Sequence, residues 1–268
     1  MQYVELPAPA PLDDLVHCFW FLRGEFPASE PQTVVADGRV EIILHLAESF
    51  SIASTDGSLT KQNDVLVSGQ ITGPVRLHGN GRGDVIGIRF RTAAATAVVR
   101  APLADLTNRV EPLSTIDKQL ERELRAAARK HDRPAARAAA LSRVLLKHVR
   151  RSPDRIVRAA ARMLETGARI DAIAEEFRTT RRTFERRVIA GTGLPAATLR
   201  RVMRFRRVFR VLDGAPRGTW AEVATQSGFA DQSHMIRDFR QFTGSSPSEF
   251  FGSDPDLARA IMGDDAQA

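Results

Sequence analysis

The chain repeats itself, and the repeat restricts it to a small set of helical folds. Residues 180–188 (TRRTFERRV) align with residues 231–239 (DQSHMIRDF) at an offset of 51. Phe184 falls on Met235, Arg186 on Arg237, Val188 on Phe239, Gly193 on Gly244 and Leu199 on Phe250. Upstream, Ile170, Ile173 and Ala174 match Trp220, Val223 and Ala224 at an offset of 50. The one-residue difference falls between two helices, where a turn tolerates a change of length. Ile170, Ile173, Ala174 and Phe177 have i, i+3, i+4, i+7 spacing, which is one face of a helix. Thr180 and Asp231 are good N-caps for a second helix in each copy. Short helix, tight turn, second helix is helix-turn-helix grammar. Two such units with Arg-rich faces imply a protein that grips two successive grooves of DNA. The competing reading is a helical bundle with chance similarity.

Charge follows the repeat. The chain has 268 residues and a formal net charge of +7. Residues 150–250 hold 20 Arg, 11 Asp plus Glu and no Lys, a balance of +9 that leaves about −2 for the rest. An Arg-rich genome explains Arg over Lys but not this localisation, which suits a polyanion partner. The single cysteine, Cys18, cannot form an internal disulfide, and no Cys/His spacing resembles a zinc site. No apolar run reaches membrane-spanning length and no signal-peptide pattern opens the chain, so a cytoplasmic protein without membrane attachment is expected. P-loop, dinucleotide, nucleophile-elbow and metalloprotease motifs are absent. No cofactor and no catalysis are expected.

The N-terminal half reads differently. Val34-Val35, Val40–Leu46, Val65–Val67, Val75–Leu77 and Val85–Phe90 are short apolar or alternating runs separated by turn-forming stretches. Strands at this spacing favour a sandwich or small barrel. Residues 92–149 are expected to be helical, with a break at His131–Pro134. Pro153 marks a helix start. The expected architecture is therefore a two-domain α+β chain. Residues 1–149 form a sensor or dimerisation domain, β-rich to about 91; residues 150–252 form an all-α double helix-turn-helix; residues 253–268 form a flexible tail.

Gly228-Phe229, Gln232-Ser233-His234, Arg237–Arg240, Gly244 and Pro247 resemble the signature of the AraC/XylS transcription regulators. The similarity covers about residues 153–252. It implies two helix-turn-helix units joined by a long helix, here about Ala196 to Leu212. The chain departs from the family pattern at Val188, where Phe is common. More faintly, His17–Trp20, Ala36–Ile43, Gly69 and Gly87–Phe90 are similar to a poorly characterised cupin-like domain fused to some of these regulators. That resemblance implies a jelly-roll barrel with a sensor or dimerisation role, and names no ligand.

Base-reading candidates follow from the exposed stripe of each second helix. In the first unit these are Arg182, Glu185 and Arg186, with Arg181 and Arg187 at the flanks as phosphate contacts. Glu185 reads equally as an intrahelical partner of Arg181 or Arg182. In the second unit the stripe is Gln232, Ser233, His234 and Arg237, with Arg240 as a phosphate contact. His234 also reads as a capping or packing residue, and Arg237 as a surface partner of Asp238. The arginines of the connecting helix fall mostly on its outer surface, and Arg204 is a candidate for an acid inside the domain. Effector-pocket candidates are Trp20, Arg39, Glu41, His45 and Arg89. Glu41, Ile43 and His45 share one strand face, which looks into a pocket, into solvent or into a satisfied core. The expected partners are double-stranded promoter DNA, RNA polymerase for an activator, a small-molecule effector and a second copy of the chain. Residues 117–149 form either a dimer seam or a layer on the β domain. The alternative from another class is a cupin-like metalloenzyme with a DNA-binding tail.

Overall fold

The computed structural model describes residues 1–54, 56–214 and 219–253. The expected tail beyond Ser253 lies outside the described residues. Among the described residues, the N-terminal half holds ten strands in two antiparallel sheets. The larger sheet has the order β1 (Gln2–Pro7), β2 (Val16–Phe26), β9 (Gly81–Phe90), β4 (Glu41–His45), β7 (Val65–Ser68), β10 (Val110–Pro112). The smaller has β3 (Gln32–Val34), β8 (Val75–His78), β5 (Ser51–Ala53), β6 (Leu59–Lys61). β1, β2, β5, β6 and β10 add to the strands expected from the sequence. β2 begins VHCFWFL, and Cys18 through Leu22 are buried without alternation. A strand covered on both faces has no period-2 signal.

Helices α1 (Leu113–Arg129) and α2 (Pro134–His148) close one side of the large sheet. Pro134 opens α2 at its first turn, as the break at 131–134 requires. Leu113, Leu120 and Leu124 of α1 and Leu141 and Leu145 of α2 share one core with Phe19, Ile42, Ile86 and Ile88. The apolar faces of these helices are therefore covered by the β domain. The expectation of helix from residue 92 needs correcting. Residues 92–112 carry only two 3₁₀ turns (Ala95–Ala97 and Leu103–Leu106) and strand β10.

The C-terminal half is all helix: α3 (Arg155–Glu165), α4 (Ile170–Glu176), α5 (Arg181–Thr192), α6 (Ala196–Gly214), α7 (Trp220–Gln226), α8 (Gln232–Thr243) and α9 (Pro247–Gly252). Pro153 does not start α3; Asp154 caps it, accepting from Ile156 N at 2.9 Å. The apolar stripe of α6 is buried at Leu199, Val202, Met203, Phe205, Val208 and Phe209. Phe205 packs edge-on against Phe209 and Phe239, with ring centroids 5.3 and 4.9 Å apart. The two halves meet directly. Val35, Ala36 and Ala93 belong to the C-terminal core. Thr107 Oγ1 donates to the Gly193 carbonyl at 2.8 Å. Gly38 has φ 77°, and a Cβ there would meet Met203 Cε at 2.7 Å, so glycine permits both the turn and the approach.

Candidate functional site

The two helix-turn-helix units are built with the same hydrogen bonds. α4 ends in a Schellman turn, with Thr179 N donating to Ala174 O (3.0 Å) and Arg178 N to Glu175 O (2.9 Å). α7 ends identically, with Phe229 N donating to Ala224 O (2.9 Å) and Gly228 N to Thr225 O (3.0 Å). The left-handed residue is Gly228 in the second copy (φ 83°) and Arg178 in the first (φ 47°). The extra residue of the second unit therefore lies after the turn and before the cap. Thr180 Oγ1 accepts from Thr183 N at 3.2 Å, and Asp231 Oδ1 from His234 N at 2.7 Å. Both second helices stop on a left-handed glycine, Gly193 and Gly244.

Each second helix is also tied to the long helix that precedes its unit. Arg187 of α5 makes a two-pronged ion pair with Asp154 at the head of α3, at 2.8 and 2.7 Å. The equivalent position in α8 is Asp238, which is buried. It accepts from Arg201 (2.7 Å) and Arg204 (2.7 Å) of α6. The tie recurs with its charges exchanged. Arg187 beside Asp154 holds that carboxyl below its ordinary value. Arg204 is the expected internal partner of an acid, and its guanidinium also lies 4.3 Å from the Phe229 ring centroid. Arg204 and Arg206 are both buried; the first was set apart as an internal partner, so the surface placement expected for the α6 arginines fails at Arg206.

Of the sequence-predicted readers, Arg182, Arg186, Gln232, Ser233, Arg237 and Arg240 are exposed. No ion pair engages Arg182, Arg186, Arg237 or Arg240 among the described residues; the acid beside Arg237, Asp238, is committed to α6. Arg181 forms an open pair with Asp171 at 3.4 Å, with side chains 75% and 62% exposed, a geometry worth little. Glu185 and His234 have partners the sequence did not suggest. The Glu185 carboxylate accepts from Ala196 N at 3.0 Å, a negative charge on the first amide of α6. His234 Nε2 lies 2.9 Å from Arg204 Nη2. A guanidinium only donates, so Nε2 accepts and the imidazole is neutral. Burial, then the charge of Arg204, lowers its pKa.

In the β domain, Trp20, Glu41, Ile43 and His45 line a small, mainly apolar pocket of about 90 Å³ with Phe50, Leu77 and Val85. Trp20 Nε1 donates to Glu41 Oε1 at 3.2 Å. Arg89 is fully buried beneath the pocket and binds Glu41 (2.5 Å) and Glu5 (2.8 Å). Burial raises the Glu41 pKa against the opposing pull of Arg89. Gly87 is needed here because a Cβ would fall 1.8 Å from the Trp20 ring. Arg39 does not join this group. It lines a separate cleft where the β domain meets α3 and α6.

Residues 173–253 match the family described as a helix-turn-helix domain, and residues 4–112 match a domain of unknown function (DUF6597). Residues 173–253 are a helix-turn-helix domain of AraC type. No curated protein matches the chain. Among solved structures, ToxT from Vibrio cholerae O395 is similar at 12% identity over 87% of this chain and 97% of that one, with a TM-score of 0.48. A form of ToxT from Vibrio cholerae strain SCE256, bound to unsaturated fatty acid, is 13% identical over 86% and 94%, with a TM-score of 0.47. The C-terminal domain of AraT, a response regulator from Geobacillus stearothermophilus, is 18% identical over 37% and 86%, with a TM-score of 0.35.

The AraC-type domain accounts for α4 to α9. The metalloenzyme alternative rests on the β domain. Among the described residues there, Glu5, His17 and Cys18 bring three ligand atoms within 4.8 Å of one another. Arg89 occupies the same cluster, bound to Glu5 and 3.9 Å from Cys18 Sγ. Burial also pushes the Cys18 thiol well above its ordinary value. A fixed guanidinium and a protonated thiol do not fit a dication. Tyr3 and Glu5 were missed by the sequence reading, although Tyr-Val-Glu-Leu at residues 3–6 alternates as a strand does.

Proposed function

We propose that this protein is a sequence-specific transcription regulator that inserts α5 and α8 into two successive major grooves of promoter DNA. One observation carries the reading. Two units built alike each present a capped helix on which Arg182, Arg186 and Arg237 are exposed and have no carboxylate partner among the described residues, next to Arg187, Arg201 and Arg204, which do. Arg182 and Arg186 on α5 and Gln232, Ser233 and Arg237 on α8 are the base readers. Arg181 and Arg240 take phosphates. Glu185 and His234 serve instead to fix α6 and Arg204. Arg187 holds α5 to α3. The 19 residues of α6 span about 28 Å at 1.5 Å per residue, close to the roughly 34 Å of one DNA turn. The Trp20–Glu41–His45 pocket is the site for a small apolar effector with one polar group.

Arg237→Ala tests the assignment. Specific binding weakens by about 1–3 kcal/mol and preference relaxes at one base, while binding to random duplex changes little. Equal losses on both DNAs would remove Arg237 from base reading.

A further inference from the structure

The cleft that takes Arg39 lies apart from both sites described above. Its volume is about 260 Å³. From the β domain come His17, Arg39 and Arg91; from α3, Arg158 and Arg162; from α6, Arg210. Arg158, Ala161, Arg162 and Glu165 follow i, i+3, i+4, i+7 spacing, so one face of α3 is turned to the β domain. Five guanidinium groups line the cleft against one lining carboxylate, Glu165. Glu165 is itself shared with buried Arg206 at 3.3 Å. Asp14 pairs with Arg158 at 2.7 Å but is 79% exposed. Arg91 Nε donates only to a backbone carbonyl, that of Asp13. No ion pair engages Arg162 or Arg210 among the described residues. Arg210 Nε is buried without a hydrogen-bond partner there.

We propose that this interdomain cleft binds a small, multiply charged oxyanion, a phosphate or a polycarboxylate, that bridges the two domains. Guanidinium forks on opposite walls match such an anion in geometry and charge. The charge of Arg39 acts on Arg206, which does not line the cleft, and on His17, which does. Burial, then Arg39, brings Arg206 down to about 9. Burial, then Arg39, brings His17 down to about 2. His17 is therefore a neutral hydrogen-bonding group, and an anion would add to the relief that Asp37 already gives Arg39 and Arg206. A volume of about 260 Å³ suits a small molecule rather than a duplex.

The test is thermal unfolding of the full chain with sodium phosphate, pyrophosphate or citrate, at constant ionic strength against sodium chloride. The expected result is a saturable rise in Tm with at least one oxyanion, the more effective probe identifying phosphate or carboxylate chemistry. Arg162→Gln, at an exposed position, and the double variant Arg162→Gln/Arg210→Gln raise the half-saturating concentration at least tenfold. Arg237→Ala leaves it unchanged. No saturable shift with any of the three anions, or an undiminished shift in Arg162→Gln, overturns the proposal. Loss of the shift in Arg237→Ala alone would place the anion on the DNA-facing surface and also overturn it.

Discussion

Arg178 is an L-residue in a place built for glycine. It closes the Schellman turn of α4 with φ 47°, where the second copy has Gly228. Left-handed backbone costs a non-glycine residue about 1–2 kcal/mol, partly offset by the entropy a glycine loses on folding. Arg178→Gly is expected to stabilise the chain by up to about 1 kcal/mol, read as a higher urea midpoint. A lower midpoint would mean that the Arg178 side chain contributes contacts worth more than the strain. Asp238 carries the opposite risk. It is buried and answers two arginines, one of them buried Arg204. Asp238→Ala should cost about 3–5 kcal/mol, because it leaves a charge inside the domain uncompensated. A loss below about 1 kcal/mol in urea unfolding would show that Arg204 finds water or another acceptor.

At the scale of elements, the helix-turn-helix units were legible because every signal agreed. Apolar spacing, N-caps at Thr180 and Asp231, and the matched glycines 193 and 244, which the structure makes helix stops, agree on the same units. The exposed stripe proposed here to read bases followed from that geometry. The exchange of charge between Arg187–Asp154 and Asp238–Arg204 was not legible, since each pair joins residues more than thirty positions apart. The partners of Glu185 and His234 were hidden too, one eleven positions away across the turn into α6 and the other thirty positions away on α6. In the β domain, alternation placed Glu41 and His45 on one face, and they do line a pocket. It could not place Arg39, whose neighbours come from α3 and α6. Strands β5 and β6 have three residues each, too short to show any period.

For the whole molecule, the +9 of residues 150–250 divides into two uses. Part faces outward on α5 and α8. Part ties the domain together, half-buried at Arg187 and Arg201 and buried at Arg204 and Arg206, each holding an acid. Local net charge therefore overstates the DNA-facing charge, although it pointed to the right domain. Stability should also depend on pH. Burial brings His45 down to about 4, and burial with Arg39 brings His17 down to about 2. Both fold in the neutral form and would take protons near pH 6.5 if unfolded. Their contribution is complete above about pH 6.5 and is lost as pH falls from there through the folded values. Tm should thus fall between pH 7.5 and 5, and less steeply in His45→Gln. An unchanged slope in that variant would remove His45 from the effect.

If the two repeated helices read two successive grooves, selection of bound duplexes from a random pool, with the full chain at physiological salt, should enrich two short motifs about ten base pairs apart, with affinity falling steeply as salt rises. Failure to enrich any sequence, both with the full chain and with residues 150–268 alone, would contradict that reading.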